Sequence, residues 1–153
     1  SLLAPYFPLL VYHYHRAQEA EQERRYCRLA GKQAAAQFAN NDAVRYLSRA
    51  IELLGVADLS QVAEALKTLP PARQQELFDL LAEREEVYDR LGKRDLQSAD
   101  LEAMLVIAEA WQDDESRALV YNRMSRYYGY TGDYPAAASA AEIGRQAANA
   151  ARK

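Results

Sequence analysis

Arg25, Arg28 and Lys32 stand three and then four residues apart in a stretch of strong helix formers, so their side chains share one side of a helix. Cations grouped this way can hold an acid. A guanidinium grips both oxygens of a carboxylate through parallel hydrogen bonds, and an acidic peptide or a free C-terminal carboxylate is the ligand such a group would select. The competing reading is a solvated helix face paired with Glu21 and Glu23, since exposed ion pairs contribute little by themselves.

Other reactive residue types lack the spacing their chemistry needs. His13 and His15 are two residues apart, which on a helix points them about 200° away from one another and prevents them from sharing a metal. Cys27 is the sole cysteine; it excludes an internal disulfide or a cysteine zinc cluster, fits a reducing cytoplasm, and among alanines is expected to be a buried, inert thiol. Asp113, Asp114 and Glu115 have no companion histidine or distant carboxylate and are expected to cap a helix. Gly31-Lys32 lacks the rest of a phosphate loop. Tyr127, Tyr128, Tyr130 and Tyr134 cluster near the last turn. Tyr128 and Tyr134 are expected to pack inside it, leaving Tyr127 and Tyr130 for either a binding surface or partial burial. Trp111, at a helix end, reads as core or subunit contact. No catalytic residue, metal or cofactor is expected.

The elements that position these residues follow from composition. Half of the 153 residues are apolar and only 11 are Gly or Pro, so the chain is long enough and apolar enough for one domain with a real core. Ala, Leu, Glu, Arg and Gln dominate while Val, Ile and Thr are scarce, which predicts an all-α fold. A net charge of −3 supplies no general attraction to nucleic acid or to an anionic membrane. The apolar start from Ser1 to Val11 is interrupted by Pro5 and Pro8 and is too short to span a bilayer. With no initiating Met, the chain is expected to be a fragment of a larger protein, with this strip packing against what precedes it.

Periodicity predicts a helix from about Pro8 to Arg16 and a longer one from Ala20 to Phe38, with Tyr26, Cys27, Ala30, Ala34 and Phe38 along one side. Asn40-Asn41-Asp42 offers a turn and an N-cap before a helix bearing Ala43, Leu47, Ala50, Ile51 and Leu54, closed by Gly55. Ser60 is expected to cap a short helix from Gln61 to Leu69. Helices from Pro71 to Leu91 and from Asp95 to Trp111 follow, with Gly92 between them. The last two flank Thr131-Gly132-Asp133-Tyr134-Pro135: Tyr121, Met124, Ser125 and Tyr128 line the first, and Ala137, Ala141, Gly144 and Ala148 the second. The small stripe lets a neighbouring helix axis approach closely.

Tyr121-x-x-Met124-Ser125-x-x-Tyr128-x-x-x-Gly132-Asp133-Tyr134-x-x-Ala137, continued by Ala141 and Gly144, resembles a tetratricopeptide repeat. Met124-Ser125 stands where that family has Leu-Gly, and Gly144 where it has Ala. Gly92 and Gly132 are 40 residues apart (132 − 92), against a usual period of about 34. The front of the chain, His13-Tyr14-x-x-Ala17, Tyr26-x-x-x-Ala30-Gly31-x-x-Ala34-Ala35 and Ala43-Val44-x-Tyr46-Leu47-x-x-Ala50-Ile51-Glu52-Leu53-Leu54, is similar to the helical region that follows the nucleotide-binding module in large bacterial signalling ATPases and adenylate or guanylate cyclases.

These resemblances imply one domain over residues 1–153, a right-handed superhelix of three antiparallel hairpins with an insertion between the first and second. In such repeats the leading helices line a concave groove. Arg25, Arg28 and Lys32, then Asp79, Glu86, Asp89 and Arg90, then Asn122, Arg126 and Tyr130 would face it. The binding set is Arg25, Arg28, Lys32, Glu86, Arg90, Asn122, Arg126 and Tyr130. The implied role is a non-catalytic module in a bacterial signalling protein that binds a peptide or partner domain. Self-association, or linkage to another domain of a multidomain ATPase or cyclase, with the apolar N-terminal strip as the contact, is the alternative. Arg28→Glu is expected to weaken binding with thermal stability nearly unchanged. An all-helical enzyme would need a closed pocket with convergent polar groups, which the sequence does not display.

Overall fold

Gly92 and Gly132 end two helices in the left-handed conformation, with φ of 67° and 83°, where any residue with a Cβ is strained. Two residues after each helix the next one begins, so the chain folds back on itself at both points. The computed structural model describes residues 2–153; Ser1, in the apolar strip, lies outside the described residues. Among the described residues there are eight α-helices and no strand. They are α1 (Phe7–Arg16), α2 (Ala20–Ala36), α3 (Asn40–Leu53), α4 (Val62–Thr68), α5 (Pro71–Leu91), α6 (Arg94–Trp111), α7 (Asp114–Thr131) and α8 (Tyr134–Ala151). Single 3₁₀ turns at Ala4–Tyr6 and Leu59–Gln61 precede α1 and α4.

Helix starts are fixed by side chains that take up otherwise unpaired N–H groups. Asp113 accepts from the Ser116 N–H ahead of α7 and Asp133 from the Ala136 N–H ahead of α8. Asp58 accepts from the Ser60 N–H while Gln61 reaches back to the Asp58 N–H, a capping box before α4. The cap expected of Ser60 is therefore made by Asp58. Asn40 likewise proves to be the first residue of α3, whose N-cap position is Ala39, without a side-chain cap.

The helices pair as α2 with α3, α5 with α6, and α7 with α8, with α1 laid on α2. α3 against α5 and α6 against α7 join the pairs in series. Leu47, Ile51, Leu77, Leu80, Leu81, Leu101, Met104 and Ile107 are almost wholly buried in one continuous core, each such side chain contributing about 1.5–3 kcal/mol of transfer free energy. Gly31 sets the α2–α3 approach: a Cβ there would fall 2.8 Å from Cγ of Leu47. The segment between α3 and α5 buries Val56 and Val62 in the same core, and the Gln74 amide ties it down by donating to the carbonyls of Leu66 and Leu69.

Two buried polar networks lock the pairs together. Arg84 of α5 donates to both oxygens of Asp100 on α6, at 2.9 and 2.6 Å, and to Ser48 of α3. Glu85 accepts from Gln97 of α6 and from Arg123 of α7. Each charge is matched, as burial demands.

Some side chains stand elsewhere than the periodicity predicts. Phe38 lies beyond α2 with φ of 58° and is 74 % exposed, so it does not continue the apolar side of that helix; the Arg90 guanidinium rests 5.6 Å from its ring centroid. On α8 the buried small residues are Ala140, Gly144 and Ala147, and Ala141 is exposed. Tyr134 is exposed rather than packed in its hairpin, because it is the first residue of α8 and the helix carries it away from α7's packing face. Tyr127 packs partly buried against the core. Trp111 is core: its ring lies 5.3 Å from Phe78 and its indole N–H donates to Gln74.

Candidate ligand-binding face

α2 and α5 meet mainly through polar side chains, and an open cleft of about 540 Å³ lies along their junction. Arg24, Arg25, Arg28, Lys32 and Arg73 line it, against the carboxylates of Glu21 and Glu76. Helical spacing explains the grouping: Arg24, Arg28 and Lys32 follow one another at one-turn intervals on α2, and Glu76, Asp79 and Glu83 do so on α5.

The two rows are paired across the junction. Arg24 donates to Glu76 at 3.1 Å, and Arg28 donates twice to one Glu83 oxygen, at 2.9 and 3.3 Å, with Asp79 at 3.7 Å. Lys32 stands 4.0 Å from Glu83 and Arg73 donates to Glu21 at 2.8 Å. Arg28 thus takes its partners from α5, and not from Glu21 and Glu23 of its own helix. The other Glu83 oxygen is buried without a hydrogen-bond partner. Arg24 and Arg73 carry no signal in the sequence alone, because their place in the cleft depends on how α5 lies on α2.

Within the cleft Arg25 differs from its neighbours. It is exposed, makes no hydrogen bond or ion pair with the described residues, and rests 5.6 Å from the Tyr26 ring centroid. Lys32 is also exposed and holds its partner only at the limit of an ion pair. These two cations remain available to an incoming carboxylate, while Arg24, Arg28 and Arg73 hold the junction.

The remaining residues of the expected groove divide in the same way. Glu86 accepts from Arg123 of α7, and Arg90 donates to the Ala35 carbonyl and to Asn40, so both bridge helices while staying exposed. Asn122 and Arg126 are exposed on α7, Asn122 with its amide oxygen against Gly144 of α8. Tyr130 is 62 % exposed, with the Arg94 guanidinium 4.9 Å from its ring centroid. The α2–α5 cleft holds Arg25, Arg28 and Lys32; Asn122, Arg126 and Tyr130 lie outside it, on α7.

A second cluster lies where α1 and α3 flank α2. Glu23, its side chain 5 % exposed, accepts from Arg49 at 2.7 and 3.3 Å and faces His15 Nδ1 at 3.2 Å. Burial alone would raise its carboxyl, but the Arg49 and His15 hydrogen bonds outweigh it and hold the group below the ordinary glutamate value. Beside it the fully buried Cys27 thiol is pushed up to about 12 by burial first and by Glu23 second, so at neutral pH it is protonated and unreactive. His13 turns away and sets its ring edge-on to Tyr14 at 5.0 Å.

Among the described residues no three His, Cys, Asp or Glu side chains converge as metal ligands, and no helix is long and apolar enough to cross a membrane. Compared with known proteins, the chain matches no family model, no curated protein and no solved structure.

Proposed function

We propose that the chain is a non-catalytic interaction module built like a tetratricopeptide repeat array, and that its α2–α5 cleft receives an acidic peptide segment of a partner protein. One observation carries the reading: five cations line the cleft against two carboxylates, and of the cations Arg25 is exposed and unpaired among the described residues while Lys32 is exposed and held to Glu83 only at 4.0 Å. Three successive helix pairs, turning at Phe38, Gly92 and Gly132, support the likeness to such arrays. Glu86, Arg90, Asn122, Arg126 and Tyr130 extend the face beyond the cleft. The mechanism is pre-organisation: paired cations and carboxylates hold the walls in place, so an extended acidic segment binds without remodelling the helices.

The test is fluorescence anisotropy with labelled hexaglutamate, and with hexalysine as its opposite. Hexaglutamate is expected to bind and the Arg25→Glu/Lys32→Glu variant to bind about tenfold more weakly. Equal binding of the two peptides, or an unaltered affinity in the variant, removes the reading.

A second reading is self-association, or linkage to a neighbouring domain of a signalling ATPase or cyclase, through the N-terminal strip. It is favoured by the exposure of Leu2 (94 %), Tyr6 (55 %), Leu9 (63 %) and Tyr12 (60 %) within eleven residues of one another, since grouped exposed apolar side chains mark interfaces. Light scattering on the chain with and without residues 1–11 tests it, and an unchanged mass would exclude self-association.

A further inference from the structure

α1 and α3 both pack on α2 and leave between them a cleft of about 450 Å³, away from the residues proposed for peptide binding. That volume lies within the roughly 300–1,000 Å³ typical of small-ligand pockets. Its walls differ in chemistry. Pro8, Val11 and Tyr12 of α1 supply apolar and aromatic surface above the fully buried Cys27 of α2, while Arg45, Tyr46 and Arg49 of α3 supply cations and a second aromatic ring.

The charges are not equivalent. Among the described residues Glu23 is the only carboxylate lining the cleft, and Arg49 and His15 already answer it. Arg45 has no such commitment. Its guanidinium lies 4.5 Å from the Tyr46 ring centroid, and its one carboxylate partner is the exposed Asp42, three residues earlier on the same helix, at 3.1 Å. Both partners of this pair are more than half exposed, and such surface pairs contribute little, so an incoming anion can take Arg45 from Asp42. A guanidinium stacked on a ring keeps its N–H groups in plane and free to reach a carboxylate. One available cation beside an apolar wall about one helical turn long, from Pro8 to Tyr12, roughly 6 Å, suits a ligand with a single negative charge and an apolar body.

We infer that the α1–α3 cleft is a second ligand site, for a small monocarboxylic acid with an aromatic or branched apolar body. The body lies against Pro8, Val11 and Tyr12, above the buried Cys27, and Arg45 takes the carboxylate. A cationic ligand is disfavoured, because two guanidinium groups face one carboxylate there. A nucleotide is disfavoured as well, because among the described residues the second guanidinium of the cleft, Arg49, is already held by Glu23 and leaves none for further phosphate charge.

The test is to titrate the whole chain with phenylbutyrate and, separately, with the neutral phenylbutyramide, following backbone amide resonances. Saturable shifts are expected at Val11, Tyr12, Cys27 and Tyr46, with the acid bound about tenfold more tightly than the amide, the value of one charge-assisted hydrogen bond. Arg45→Gln, an exposed substitution whose folding the same spectra verify, is expected to abolish that preference, and Arg25→Gln in the other cleft to leave it intact. Absence of saturable shifts overturns the inference. So does equal binding of acid and amide, or a preference that survives Arg45→Gln. Shifts at these residues produced by an acidic helical peptide and not by phenylbutyrate would make the cleft a protein-docking surface and overturn it too.

Discussion

Arg28 of α2 donates two hydrogen bonds to a single carboxylate oxygen of Glu83 on α5, from Nη2 at 2.9 Å and from Nε at 3.3 Å. Both side chains are more than two-thirds buried, so this pair serves the junction between the first two helix pairs before it serves any ligand. Arg28→Glu would set a new carboxylate against Glu83 and Asp79. The expected result is a stability loss of about 1–3 kcal/mol in urea melts together with weaker hexaglutamate binding. The sequence-based expectation of unchanged stability is revised accordingly. Arg25→Glu, at an exposed and unpaired position, should leave stability within about 0.5 kcal/mol and weaken binding alone. If Arg28→Glu melts like the parent chain, the pair does not hold the junction.

The two buried helix glycines should respond to alanine with opposite sign. At Gly31 a Cβ meets Cγ and Cδ2 of the fully buried Leu47 at 2.8 and 2.9 Å, where the core leaves no room to move. Gly31→Ala is expected to destabilise by about 1–2 kcal/mol despite the helix propensity gained. At Gly144 the nearest atom is the amide oxygen of Asn122, at 2.7 Å on an exposed side chain that can swing aside. Gly144→Ala should be neutral or stabilising by up to about 1 kcal/mol. Denaturant midpoints of the two variants moving in the same direction would contradict this account.

Glu23 links the first three helices and gives part of their stability a pH dependence. Its carboxyl is held below its ordinary value of 4.5 in the fold, so its contribution is complete above that value and is lost as pH falls through the lower folded value. Thermal melts should show a loss of stability below about pH 4.5 that is smaller in Glu23→Gln than in the parent chain. A parallel pH profile in the variant would show that other carboxylates carry the effect.

Cys27 should resist thiol reagents. Its side chain is fully buried and its thiol is pushed up to about 12, so labelling by a disulfide dye at pH 8 should proceed only as fast as the chain opens. Labelling at the rate of a free thiol in native buffer would place Cys27 at the surface.

Much of the architecture is written in local signals. Gly92 and Gly132 mark helix ends by their conformational freedom, Asp113 and Asp133 mark helix starts by their short acceptor side chains, and the 3.6-residue period exposes the buried faces of α3, α5 and α6. The misreadings are those where a neighbour in space decided. Ser60 and Asp58 are both good caps, and only the capping box with Gln61 chooses between them. Phe38 continues the period of α2 by residue type, yet a left-handed residue there turns the chain out to solvent. The binding face was the least legible part. The type and spacing of Arg25, Arg28 and Lys32 are plain in the chain, but which of them is spent on Glu83 depends on how α5 crosses α2, more than fifty residues away.

The joint between the first two helix pairs is fastened differently along its two edges. On the α3 edge it is closed by hydrocarbon, on the α2 edge by opposed charges such as Arg24 with Glu76 and Arg28 with Glu83. Added electrolyte weakens only the second kind of fastening, acting first on its exposed members such as Arg73 with Glu21. Ionic strength should therefore act on this molecule as a hinge adjustment, opening the α2 side about an intact oily spine, before it acts as a denaturant.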